Sequence, residues 1–202
     1  MSDFDRVPFG LFIDSNGKEE FFAVDEVISG LGCGCICPSC KIPLVARKGD
    51  VYNWHFAHKP RKSKNELDVT CEYSYHVSLV AMAKQLFSKN INIRLPEYML
   101  GVYTDFGYYE RKVVSESCVL IRDFEIESIF GNQFVDVITY VDNIPLLIYF
   151  EHKEKEVVIS ESDFLGYGDV VRIIKIDVSD FYLESKKARQ ELANLLFDST
   201  EG

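Results

Sequence analysis

Cysteine and histidine are the residues of this chain best suited to hold a metal, and most of them fall in one stretch. Cys37-Pro-Ser-Cys40 has the spacing at which a tight turn aims two sulfurs at one ion. His55-Phe-Ala-His58 and then Cys71 supply the other half. Structural zinc takes four ligands, mostly Cys and His, in a tetrahedron. The expected quartet is therefore Cys37, Cys40, His58 and Cys71, with His55 as the substitute fourth ligand. The competing reading is a buried thiol cluster beside two surface histidines. CxxC, HxxH and Cys recurring in order within one short module favour the metal. Zinc contributes ~10–16 kcal/mol of apparent folding free energy in such modules, and a segment with so few apolar residues needs it.

Cys33 and Cys35 crowd the same run, but four sulfurs in Cys33–Cys40 cannot easily surround one ion. They read as small buried residues at a Gly-rich entry, with ligation of a second metal as the alternative. Cys118 reads as a core thiol. A redox role for Cys37 and Cys40 is disfavoured, because no thioredoxin-like βαβ pattern surrounds the pair.

The elements that must position these groups come next. A chain of 202 residues, 47% of them apolar, can bury a real core. Apolar runs at Val7–Asp14 and Glu19–Val24, separated by Ser-Asn-Gly, predict a hairpin. A short helix is expected over Asp25–Gly30, a strand over Val51–His58, and a basic loop over Lys59–Asn65. Glu72–Lys89 carries the clearest helical period. Strand-like runs follow at Ile91–Leu95, Tyr98–Tyr103, Tyr108–Val114, Val119–Ile121, Phe124–Ile129, Phe134–Val141, Leu146–Glu151 and Val170–Val178, with a closing helix over Leu183–Phe197. The simplest partition is α+β: a small zinc-ribbon-like β module over residues 1–70, then an α/β domain over 71–202.

With Gly30-Leu-Gly-Cys-Gly-Cys-Ile-Cys-Pro-Ser-Cys-Lys-Ile-Pro-Leu-Val-Ala-Arg-Lys-Gly49, Trp54-His-Phe-Ala-His58, and Cys71-Glu72 followed by His76, the chain resembles the competence protein CoiA-like family. The resemblance covers about the first 85 residues. It implies a zinc-ribbon-like module joined to a PD-(D/E)XK nuclease-like domain, in a family some of whose members are linked to DNA uptake. The second half follows that pattern loosely, through Phe134-Val-Asp136-Val-Ile-Thr, a β-hairpin, and Ile176-Asp-Val-Ser179.

Nuclease chemistry of that type needs carboxylates on adjacent strands to hold Mg²⁺ or Mn²⁺, and a lysine near the attacking water. Asp136 is the natural first acid, since it interrupts an apolar strand. Glu151-His-Lys153 matches the E-X-K string, with both ends on one strand face. Glu72 lies on the apolar stripe of the helix, with His76, and would assist as a third acid. Register decides the matter. A four-residue loop Asp142–Pro145 sets Glu151 opposite Asp136; a two-residue turn at Asp142-Asn143 sets Tyr149 there instead. Pro145 favours the longer loop, because proline removes a ladder donor. The charged run Glu151–Lys155 is otherwise a solvated strand end.

Net charge is −10, which weighs against tight autonomous DNA binding. A local strip of Lys59, Arg61, Lys62 and Lys64 would still contact phosphates without reading sequence. Two functions compete, and the first is the one expected. One is a DNA nuclease with structural zinc and catalytic Mg²⁺ or Mn²⁺. The other is a catalytically degenerate scaffold that binds nucleic acid or a partner protein. Neither a leader-like N-terminus nor an apolar run of roughly 18 residues is evident, so a cytoplasmic protein without a membrane span is expected.

Overall fold

The computed structural model describes residues 6–50, 54–60, 71, 74–87, 90–104, 107–153, 155–160, 164, 171–179, 181 and 186–197, with backbone alone at 98–104, 111, 113 and 114. Among the described residues it is a mixed α/β structure, mostly strands, with two α-helices. No described helix is long and apolar enough to cross a membrane.

Strands β1 (Phe9–Ile13) and β2 (Glu19–Ala23) form the expected hairpin, Phe9 pairing with Ala23 and Ile13 with Glu19. Its turn is closed by the Asp14 carboxylate, which accepts the Asn16 and Lys18 backbone N–H groups at 2.8 and 2.9 Å. Helix over Asp25–Gly30 does not form. A single 3-10 turn, Val24–Glu26, replaces it, and Glu26 reaches back to the Ala23 N–H at 2.7 Å. Val27 is already extended at that turn's end, and Gly30, at φ +81°, bridges to Ala46. Strands β3 (Leu44–Arg47) and β4 (His55–His58) pair antiparallel, with Leu44 opposite His58 and Arg47 opposite His55.

Helix α1 (Ser74–Leu86) presents Leu79, Met82 and Ala83 to the main core. Strands β5 (Ile91–Leu95) and β8 (Ser117–Ile121) pair with each other, as do β6 (Tyr98–Thr104) and β7 (Gly107–Val114). Cys118 is exposed, not a core thiol. The alternation that buries Ile121 turns Cys118 and Leu120 outward.

The main sheet orders as β12 (Arg172–Asp177), β11 (Ile144–Glu151), β10 (Gln133–Val141) and β9 (Glu125–Phe130). The β9–β10–β11 meander is antiparallel, while β12 runs parallel to β11. Helix α2 (Ala188–Phe197) closes the core with Leu192 and Leu196.

The β10–β11 turn differs from expectation. Val141 pairs with Ile144 around a two-residue turn, Asp142-Asn143, and both turn residues have left-handed φ of 54° and 61°. Such turns match the twist of the flanking strands, and Asp and Asn tolerate positive φ. Pro145 pairs with Tyr140. Next to a two-residue turn this is the non-hydrogen-bonded pair, so no ladder donor to β10 is lost. On its other side β11 begins pairing only at Leu146, opposite Arg172. One further step of the β10–β11 register brings Asp136 level with Tyr149, not Glu151.

Phe9 and Ala23 sit in the same core as α1, α2 and the main sheet, whereas Val7, Val24, Leu44 and Phe56 pack around the cysteines. Phe21 on β2 is clasped by Gln85 of α1 through both its N–H and its carbonyl (2.6 and 2.9 Å), and by Arg189 of α2 at 2.7 Å.

Candidate metal centre and the acids of the main sheet

Cys37 opens a tight turn in which its carbonyl accepts the Lys41 N–H (2.9 Å) and its N–H donates to Ile42 (2.8 Å). Lys41 completes the turn at φ 60°. This knuckle folds Cys40 back toward Cys37. Alternation along β4 puts His58 and Phe56 on one face and His55 on the other, and Phe56 packs in the cysteine cluster. His58 therefore faces the sulfurs. Cys71 arrives just before α1, where its carbonyl accepts Ser74 Oγ at 3.0 Å and the Ser74 N–H at 3.3 Å.

The result brings together Cys37, Cys40, His58 and Cys71, whose ligand atoms all lie within 4.8 Å of one another. Cys37 and Cys71 sulfurs are 3.6 Å apart. A tetrahedron with Zn–S bonds of about 2.3 Å has an S–S edge of about 3.8 Å, so the donor set fits. Three sulfurs and one imidazole in this arrangement could hold a metal such as zinc. Burial, with the neighbouring Cys71 and Cys40 sulfurs, pushes the Cys37 thiol up to about 12 against the lowering effect of the Cys40 and Ser39 backbone N–H groups. Burial also raises Cys71, but hydrogen bonds with Ser39, Cys40, Cys37 and Ser74 outweigh it and leave that thiol below its ordinary value.

Cys33 and Cys35 are buried outside the quartet. Cys33 Sγ donates to the Leu44 carbonyl at 3.4 Å, and Cys35 Sγ to the Cys33 carbonyl at 3.6 Å. Burial, then the adjacent Cys33, pushes the Cys35 thiol up to about 12.

Asp136 is 1% exposed. Its Oδ1 meets Lys84 Nζ of α1 at 2.7 Å, its Oδ2 accepts the Phe150 N–H at 3.0 Å, and Lys155 Nζ stands 3.7 Å from Oδ2. The ladder is broken here: Glu127, level with Asp136 on β9, has φ 53°, and Lys84 also reaches it at 3.0 Å. Val137 joins the α1 core, while Tyr149 and Leu147 pack in a second cluster on the opposite sheet face. Glu151 shares the face of Tyr149 by alternation. Its carboxylate accepts the Val157 N–H at 2.8 Å and pairs with Lys175 at 3.1 Å. Asp136 and Glu151 thus serve different partners. Ser179 hydrogen bonds, then the Lys153 and His152 charges, hold the Asp177 carboxyl below its ordinary value against partial burial.

His76 of α1 stacks on His152 beyond β11, with centroids 4.5 Å apart and planes within 6°. Glu72, Arg61, Lys62 and Lys64 lie outside the described residues; Lys59 is exposed at the end of β4. Sequence reasoning missed Lys84, whose only signal is a cation among the apolar positions of α1.

Residues 32–65 match the family model described as the competence protein CoiA, N-terminal domain. Over that stretch the chain is similar to this domain. The CoiA-like match spans the cysteine knuckle, β3 and β4, and stops short of Cys71 and α1. Neither a curated protein nor a solved structure matches the chain.

Proposed function

We propose that this is a zinc-stapled, CoiA-like nucleic-acid-binding protein whose second half keeps the frame of a PD-(D/E)XK nuclease without its two-carboxylate metal site. The helix α1, the β10–β11 hairpin and the following β12 are compatible with that frame. Zinc on Cys37, Cys40, His58 and Cys71 would supply folding energy and no chemistry.

One observation carries the non-hydrolytic reading. Asp136 is committed to an ammonium at 2.7 Å and a backbone N–H at 3.0 Å, and Glu151 is engaged elsewhere by Lys175. Mg²⁺ demands oxygen ligands in near-octahedral order. To reach Asp136 it would have to displace a buried, neutralised pair. Binding would instead use cations of the zinc module, including Arg47 and Lys59, against phosphates.

The test combines fluorescence anisotropy with a cleavage assay in Mg²⁺ or Mn²⁺. Binding that weakens as salt rises, without metal-dependent cleavage, is expected. Cleavage that requires the metal and disappears in Asp136→Ala would restore the nuclease reading, with Asp136, Glu151, Lys153 and Glu72 as its residues.

A further inference from the structure

Trp54 is the chain's single tryptophan. It stands just before β4, next to the Arg47–His55 pair, and it is only partly buried. Its indole N–H donates to the Gly49 carbonyl at 3.1 Å, which pins one edge of the ring.

Two ammonium groups address this ring, and they are held differently. Lys48 Nζ lies 5.2 Å from the ring centroid and is tied to the carbonyls of Val27 and Asp25. Lys186 Nζ lies 4.9 Å from the centroid on an exposed side chain ahead of α2. Among the described residues, the ring alone holds it. A cation over an aromatic face marks an electron-rich surface within reach of solvent. A ring fixed at its edge, with Lys186 on an exposed side chain and Arg47 at the end of β3 beside it, meets the requirements for stacking a base next to a phosphate.

We infer that Trp54 is a stacking platform for a base of single-stranded nucleic acid. Lys186 is the cation that moves from the ring to the adjoining phosphate. The inference rests on the nucleic-acid-binding reading and narrows it to a strand class and a contact. Duplex DNA keeps its bases stacked internally, so the platform favours unpaired strands. Lys59, at the far end of β4, extends the charged path by the strand's length, roughly 13 Å at about 3.3 Å per residue.

Because Trp54 is the sole tryptophan, its emission reports the contact directly. The full-length, zinc-loaded protein is titrated with short oligothymidylate, oligouridylate and an abasic strand of equal phosphate count. Anisotropy of a labelled strand is followed alongside. Both base-bearing strands should quench the emission, and their relative affinities distinguish DNA from RNA as the source. The abasic strand should bind more weakly without quenching. Trp54→Ala should weaken binding on the order of 5- to 100-fold, Trp54→Phe much less, and Lys186→Ala should reduce the salt dependence. Zinc content, measured on each variant, separates a binding loss from a folding loss. Binding by anisotropy without quenching, or unchanged in both Trp54→Ala and Lys186→Ala, would overturn the platform and leave nucleic-acid binding intact. Failure of every strand to bind would remove both.

Discussion

Lys84 is the nearest cation to Asp136 among the described residues. Its side chain is 14% exposed and the carboxylate it meets is 2% exposed, so the pair sits where water screens little. Lys84→Met would strand a buried charge and is expected to cost roughly 3–5 kcal/mol. The double change with Asp136→Asn should recover much of it, and urea unfolding midpoints read both. Lys155 is nearly half exposed at 3.7 Å, and its removal should cost less than about 1 kcal/mol. Asp177 carries a second prediction. Its carboxyl is depressed when folded, so the stability it contributes is present above the ordinary aspartate pKa and fades as pH falls through the lower folded value. An NMR titration should find its midpoint below the ordinary aspartate range, and Ser179→Pro, which deletes the donating N–H at 2.8 Å, should raise it. At this scale the cysteine knuckle was legible in sequence, because its spacing alone brings Cys37 and Cys40 together. Lys84 and Lys186 were not, since tertiary packing selects which cation meets Asp136 or Trp54.

Among the elements, strands were read well wherever apolar residues alternate or run unbroken, as in β5 and β10. Register was harder to read. Pro145 argued for a long loop, yet the β10–β11 hairpin closes on two residues that accept left-handed φ, and Pro145 falls at a pair where its missing N–H is not needed. A β-branched residue there should be costly: Asn143→Val is expected to lose about 1–2 kcal/mol, measured by chemical denaturation. The same turn fixes Tyr149 rather than Glu151 level with Asp136, so one backbone preference controls which side chains meet several residues away. The helix expected over Asp25–Gly30 stops after one turn, because Val27 is extended and Gly30 is drawn to Ala46 on β3.

At the scale of the molecule, zinc should be a stability requirement rather than a catalyst. Purified protein is expected to carry stoichiometric zinc by elemental analysis, and Cys71→Ser should reduce both zinc content and thermal stability. Chelation should then loosen the start of α1, where Cys71 receives Ser74. Hydrogen exchange at Tyr75–Ser78 is the readout.

The clasp on Phe21 has a practical corollary for anyone dissecting the chain. Gln85 and Arg189 grip one strand residue from two helices far apart in sequence, while Phe9 and Ala23 plug the interior those helices cover. A fragment starting at α1 would leave that plug behind, with greasy surface bared and three polar grips empty. Such a piece should be recovered from expression as aggregate, and adding back a peptide spanning β1 and β2 should restore its solubility.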